Sequence, residues 1–135
     1  MICLDSSFVV DFLDPEQEHH DDAVSWLRSR SEEPLVVPVI CAFEVLRGTA
    51  RAGEDRFERA VGFLRTTTVL ELGLQGAISA GDLDGRLHSA GAPLSARDTL
   101  VAAPALEVGA PLVTRDQDFR AVPELSVALY DADGG

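Results

Sequence analysis

The chain has 135 residues, 46% of them hydrophobic, and a formal net charge of −12, with arginine as its only basic side chain besides histidine. That suits one compact core and leaves no room for two domains, and no apolar run approaches the roughly 18 residues of a membrane span. Strong acidity excludes a protein that coats nucleic acid by long-range attraction, but not an enzyme that grips a short stretch locally. Met1 to Asp5 lacks the basic region and long apolar stretch of a secretory signal, so a cytoplasmic chain is expected. Residues 2–4 read instead as a buried strand that stops at Asp5-Ser6-Ser7, where a serine is expected to cap a short helix, Phe8 to Leu13, ended by Pro15. Glu18 to Ser31 fits a second helix, with Ala23, Val24, Trp26 and Leu27 on its apolar side and Pro34 beyond its end. Leu35-Val36-Val37 is a second strand, and Pro38 suits the first position of a helix through Arg51. A further helix, Asp55 to Arg65, precedes a β-branched and apolar strand, Thr66 to Leu72. Helices follow at 74–90 and from Ser95 to Val108, each ended by a Gly-then-Pro pattern. Leu112-Val113-Thr114 is a fourth strand, residues 117–121 a helical turn, Val127-Ala128-Leu129 a fifth strand, and 132–135 a frayed tail. Short apolar strands alternating with helices imply a parallel sheet covered on both faces. Such sheets hold their sites beyond the carboxyl ends of the strands.

Four acids are candidates for chemistry on that rim. Asp5 ends the first strand, Asp116 follows the fourth, and Asp98 opens the helix before it. Glu44 lies inside the helix after the second strand, among apolar neighbours Phe43, Val45 and Leu46, where an unpaired carboxylate is costly. Two unit charges about 4 Å apart repel by roughly 4 kcal/mol at an effective dielectric of about 20. A cluster of such acids therefore needs protons or a divalent cation, and all-oxygen ligands select Mg²⁺ or Mn²⁺ over zinc. Such an ion polarises a phosphoryl oxygen and activates water, the chemistry of phosphodiester hydrolysis. Each acid also has an ordinary structural explanation. Asp5 suits a helix cap. Ser95 to Asp98 has capping-box spacing. Glu44 can pair with Arg47 one turn on. Asp116 and Asp118 are good turn residues. Only their joint placement favours chemistry.

With those residues identified, the sequence resembles the PIN-domain family, and within it the toxin ribonucleases of VapBC toxin–antitoxin pairs. The matching pieces are Leu4-Asp5-Ser6-Ser7, Phe43-Glu44-Val45-Leu46-Arg47-Gly48, Asp98-Thr99-Leu100-Val101-Ala102-Ala103 and Leu112-Val113-Thr114-Arg115-Asp116-Gln117-Asp118-Phe119. Their order and spacing cover essentially the whole chain. The resemblance implies a single domain over residues 1–131, with a three-layer α/β/α fold and a central, mostly parallel sheet of four to five strands. It implies a metal-dependent endoribonuclease with catalytic acids Asp5, Glu44, Asp98 and Asp116, the metal resting on Asp5, Asp98 and Asp116. Ser6 and Thr114 match supporting positions. Asp118 is a fifth acid that divides the fourth role with Asp116. An antitoxin partner and a homodimer are implied as well. Pro104 departs from the family pattern. It removes a helix hydrogen bond and is expected to kink the helix, at about 3 kcal/mol in an unadapted setting.

Backbone contacts of an RNA substrate then fall to arginines. Glu44, Arg47 and Arg51 share one helical face at i, i+3 and i+7, while Arg97 and Arg115 adjoin two of the acids. Ordinary surface ion pairs are the alternative for each. His19-His20-Asp21-Asp22 reads as an exposed helix start, since adjacent helical residues make a poor chelator. Cys3 and Cys41 read as small core residues, Trp26 as packing, and Val9, Phe12 and Leu13 as apolar surface beyond what the core needs. Two other function classes compete. A phosphatase with Asp5 as nucleophile would want an acid where Ser7 stands, and a lysine. A non-catalytic PIN-like interaction module would not need all four acids. Nucleotide-cofactor binding is disfavoured because no Gly-rich loop follows a strand.

Overall fold

The computed structural model describes residues 1–30 and 32–132. Five short strands, β1 (Ile2–Leu4), β2 (Leu35–Pro38), β3 (Thr68–Leu70), β4 (Leu112–Thr114) and β5 (Val127–Leu129), form one sheet in the order β3-β2-β1-β4-β5. Every pairing is parallel. Six helices cover it in three layers: α1 (Ser6–Leu13), α2 (His20–Arg28), α3 (Val39–Ala52), α4 (Glu54–Leu64), α5 (Leu74–Ser89) and α6 (Ala96–Val108). A 3₁₀ turn spans Gln117–Ala121. No helix of the described residues is long and apolar enough to cross a membrane. The central strands are buried throughout, Cys3, Leu4, Val37, Leu112 and Val113 completely so. This is why they read as apolar runs rather than alternating ones.

Winding reverses at β1. The chain adds β2 and β3 on one side, then returns to place β4 and β5 on the other. The crevice between β1 and β4 is thus the topological switch point, the usual ligand position in such sheets. Asp5 is fixed at that seam, its backbone N–H donating to the carbonyl of Val113 at 3.1 Å.

Several element ends differ from the sequence reading. Asp5, not a serine, caps α1, accepting from the Ser6 N–H at 2.8 Å. α2 begins at His20 because Asp14 accepts from the Glu16 N–H and the chain turns again at Gln17 and His20. The far end expected for that helix, Ser31, lies outside the described residues, as do residues 133–135 of the expected tail. Pro38 caps α3 with extended ψ of 142° rather than opening it. β3 is shorter than expected because the Thr66 and Thr67 hydroxyls donate back to the carbonyls of Phe63 and Leu64, closing α4. α6 runs unbroken through Pro104 to Val108, and nothing in the structure explains that proline. A left-handed Gly109 ends the helix.

The core agrees with most assignments. Trp26 packs edge-on against Phe8, which also meets Tyr130. Cys3 and Cys41 are buried free thiols. Burial, and then the adjacent Asp5 charge, push Cys3 up to about 12. Val9 is core after all, and Val10 is the residue of α1 left exposed. His19 and His20 are half-buried and bond to Asp22 and to the Asp11 carbonyl.

Candidate active site

The acids arrive from four elements. Asp5 follows β1, Glu44 projects from the second turn of α3, Asp98 from the first turn of α6, and Asp116 and Asp118 from the segment after β4. Carboxylate oxygens of Asp98, Asp116 and Asp118 lie within 4.8 Å of one another. Asp5 stands outside that trio, although the sequence reading placed the metal on Asp5, Asp98 and Asp116. Asp118, left in doubt beside Asp116, is inside it.

Asp5 is 3% exposed and engaged through both oxygens. Its Oδ1 accepts from the Ser6 N–H, from Arg97 Nη2 at 2.7 Å and from the Cys41 thiol at 3.5 Å. Its Oδ2 accepts from the Thr114 hydroxyl at 2.7 Å. Thr114 is itself buried and accepts from the Asp116 N–H at 3.0 Å, so one hydroxyl ties the first acid to the fourth. The Asp116 side chain then accepts from the Asp118 N–H at 2.9 Å, capping the 3₁₀ turn. Structural and functional explanations therefore hold together here: the residues that cap turns are the ones assembled into the cluster.

Arg97 joins the other acids. Its Nε and Nη2 donate to both oxygens of Glu44, at 2.7 to 3.2 Å. Nη2 also reaches Asp5 and the Ser6 hydroxyl, and Nη1 reaches Asp98 Oδ1 at 2.8 Å. Burial works against the charged guanidinium, but the bonds to Glu44 and Asp98 and the Asp5 charge outweigh it, raising its pKa. Glu44 thus pairs with Arg97, not with Arg47. Phe43 is 60% exposed, so the helix face around Glu44 is more open than its apolar neighbours implied. The Asp98 backbone N–H completes half of the capping box with Ser95 Oγ, while the Asp98 carboxylate turns to Arg97. Arg97 is the functional candidate that residue-by-residue reasoning undervalued. Its position beside Asp98 was the only signal.

The arginines expected at substrate divide. Arg47 and Arg51 are exposed on α3 and have no ion pair among the described residues. Arg115 is held by Asp11, which is 1% exposed, through Nε at 2.8 Å, with the Tyr130 hydroxyl donating to the same carboxylate at 2.5 Å. Truncating Arg115 to alanine is expected to destabilise the fold by about 1–3 kcal/mol, because a buried carboxylate loses a charged partner. Urea denaturation checks this. Arg47→Ala is expected to leave that midpoint unchanged.

The trio has the donor set of a hard divalent cation: carboxylate oxygens alone, converging from two elements. An ion such as Mg²⁺ or Mn²⁺ would be held there by Asp98, Asp116 and Asp118.

A model of the PIN domain matches residues 2–125. No curated protein matches the chain. Among solved structures it is similar to FitAcB from Neisseria gonorrhoeae, at 22% identity over 98% of this chain and 99% of that one, TM-score 0.81. It is similar to VapBC2 from Rickettsia felis bound to a DNA fragment from its promoter, at 20% identity over 95% and 98% of the two chains, TM-score 0.79. A third is VapC20 from Mycobacterium tuberculosis, a sarcin–ricin-loop-cleaving toxin, at 16% identity over 91% and 95%, TM-score 0.72. At these identities the likeness establishes the fold.

Proposed function

The chain belongs to the PIN domain family, and from that premise we propose that it is a metal-dependent endoribonuclease acting in the cytoplasm, the toxin of a type II toxin–antitoxin pair. The observation that carries this reading is the convergence of Asp98, Asp116 and Asp118 at the β1–β4 switch point, beside the Asp5–Arg97–Glu44 group. A bound Mg²⁺ or Mn²⁺ supplies Lewis acidity toward a phosphoryl oxygen and lowers the pKa of water. The protein supplies the rest. Asp98, Asp116 and Asp118 would hold the ion, and a carboxylate of the trio would orient the attacking water. Thr114 and Ser6 keep Asp5 and Arg97 in register, and Arg47 and Arg51 bind the RNA backbone along the α3 face. The test is incubation with a mixed RNA pool in Mg²⁺, Mn²⁺ and EDTA, with the cut ends mapped. Metal-dependent internal cuts are expected, and an intact pool in both metals would defeat the reading.

An antitoxin partner suits the groove of about 450 Å³ between α1, α3 and α4. Val10, Leu13, Val45 and Ala52 are apolar, and of the charged lining Arg56 pairs with Asp14 and Glu16 while Arg59 stands beside them. That chemistry favours an apolar antitoxin segment. The similarity to toxin–antitoxin complexes supports the assignment.

A homodimer accounts for a different surface. Phe43, Leu74 and Ile78 are 60%, 78% and 55% exposed, a cost in water that a second copy would remove. All three lie in helices that follow the neighbouring strands β2 and β3. The double variant Phe43→Glu, Leu74→Glu is expected to sediment as a monomer where the parent sediments as a dimer. Unchanged sedimentation of the two would rule out this face.

A further inference from the structure

We infer that Arg97 is a resident cation of the active site: its guanidinium fills the place among Asp5, Glu44 and Asp98 that a second divalent ion would require. The chain then binds a single divalent ion, at Asp98, Asp116 and Asp118. The inference rests on the reading of that trio as an ion site and adds to it the stoichiometry and the identity of the second positive charge.

Hydrogen-bond capacity carries the argument. An ionised carboxylate has about four lone-pair sites. On Asp5 the Oδ1 sites are taken by the Ser6 N–H, Arg97 and Cys41, while Oδ2 accepts from Thr114 and keeps one site. Those donors are fixed by α1 (Ser6), α3 (Cys41), β4 (Thr114) and α6 (Arg97). Asp5 can ligate an ion through Oδ1, the oxygen it turns to Arg97, only by breaking one of these bonds, and its burial leaves no solvent to replace the loss. Glu44 has both oxygens on the same guanidinium. Asp98 is placed differently. Its Oδ1 faces Arg97 while the residue also belongs to the trio, so it is the hinge between the two positive charges. Asp116 engages one oxygen with the Asp118 N–H, and Asp118 is exposed.

Charge supports the same division. Five carboxylates meet here, and lone ion pairs do not bring one guanidinium to three of them and a serine hydroxyl at once. A planar, weakly hydrated guanidinium tolerates such a partly buried place better than a small dication that must first shed water. It also needs no supply from solution, so the Asp5–Glu44 half of the site is assembled before metal arrives.

The test counts ions directly. Mn²⁺ binding is followed by electron paramagnetic resonance for the parent chain, Arg97→Lys, Arg97→Met and Asp118→Asn, with folding checked by circular dichroism. The parent is expected to saturate at one Mn²⁺ per chain and Arg97→Lys to do the same. Arg97→Met is expected to take up a second ion, and in EDTA to melt lower than the parent and recover with Mn²⁺. Asp118→Asn is expected to weaken the single site by at least about tenfold. A parent that binds two ions, or a folded Arg97→Met that still binds one, overturns the inference. Should Arg97→Met fail to fold, the parent count and Asp118→Asn decide it. RNA cleavage is scored separately: two bound ions with cleavage overturn the inference and leave the nuclease reading standing, whereas no bound ion and no cleavage defeat both.

Discussion

Asp98→Asn is expected to abolish RNA cleavage while leaving the fold as stable as the parent, or more so, in EDTA. Asp98 alone belongs to both halves of the site, through the trio and through Arg97. Losing an ion ligand at that junction forfeits about 4 kcal/mol of transition-state stabilisation, or about 10³-fold in rate. The capping role of residue 98 survives the change, and an asparagine oxygen can still accept from Arg97 Nη1 where the ion pair was. Ser95 caps α6 through the Asp98 backbone N–H, which asparagine retains. The lost charge–dipole interaction in the first turn is worth about 0.3–1 kcal/mol. Against it stands relief of repulsion. Two carboxylate charges 4.8 Å apart repel by about 3.5 kcal/mol at an effective dielectric of about 20. Single-turnover cleavage and thermal melting in EDTA together check this. Retained activity would remove Asp98 from the chemistry, and a variant that melts far lower would make it a structural residue.

Much of this arrangement was legible beforehand, for local reasons. The strands are apolar runs between Pro, Gly and acidic punctuation, so β1, β2, β4 and β5 stand where the runs do. Asp5 and Asp116 are at strand ends, and strand ends in a parallel sheet share a rim. What escaped reading depends on contacts distant in sequence. Arg97 meets Asp5 across 92 residues and Glu44 across 53. Its sequence neighbour Asp98 announced only one of its partners. Arg115 adjoins Asp116 yet bonds to Asp11 across 104 residues, and no periodicity reports such a partner. Short-range competition hid other details. Ser6 and Asp5 are both good caps, and only the geometry of the β1 end decides that Asp5 takes the Ser6 N–H. The apolar stretch Phe8 to Leu13 is too short for its periodicity to tell that Val9 faces inward and Val10 outward.

Asp5→Asn is expected to show the opposite balance from Asp98→Asn: a large loss of stability and a smaller loss of activity. The sequence alone suggests that this variant folds normally yet loses cleavage in Mg²⁺ or Mn²⁺. The structure changes that expectation. The three donors around Oδ1 require the amide oxygen on that side. The amide nitrogen must then face the Thr114 hydroxyl, which already accepts from the Asp116 N–H and now donates to Asp5. The hydroxyl can accept from that amide only by turning its own proton away from residue 5 in a buried place, and Arg97 loses one of its counter-charges. The expected cost is about 1.5–3 kcal/mol, the range for a charge-assisted bond. It should appear as a lower urea midpoint with an unchanged slope. Cleavage should fall by about 10–100-fold, the usual effect of losing a group that orients ion ligands rather than serving as one. Mn²⁺ should still bind at the trio. Full activity in Asp5→Asn would remove Asp5 from the site altogether. A variant of parental stability whose cleavage falls as far as that of Asp98→Asn would make Asp5 an ion ligand itself, and the division of the acids by Arg97 would fail with it.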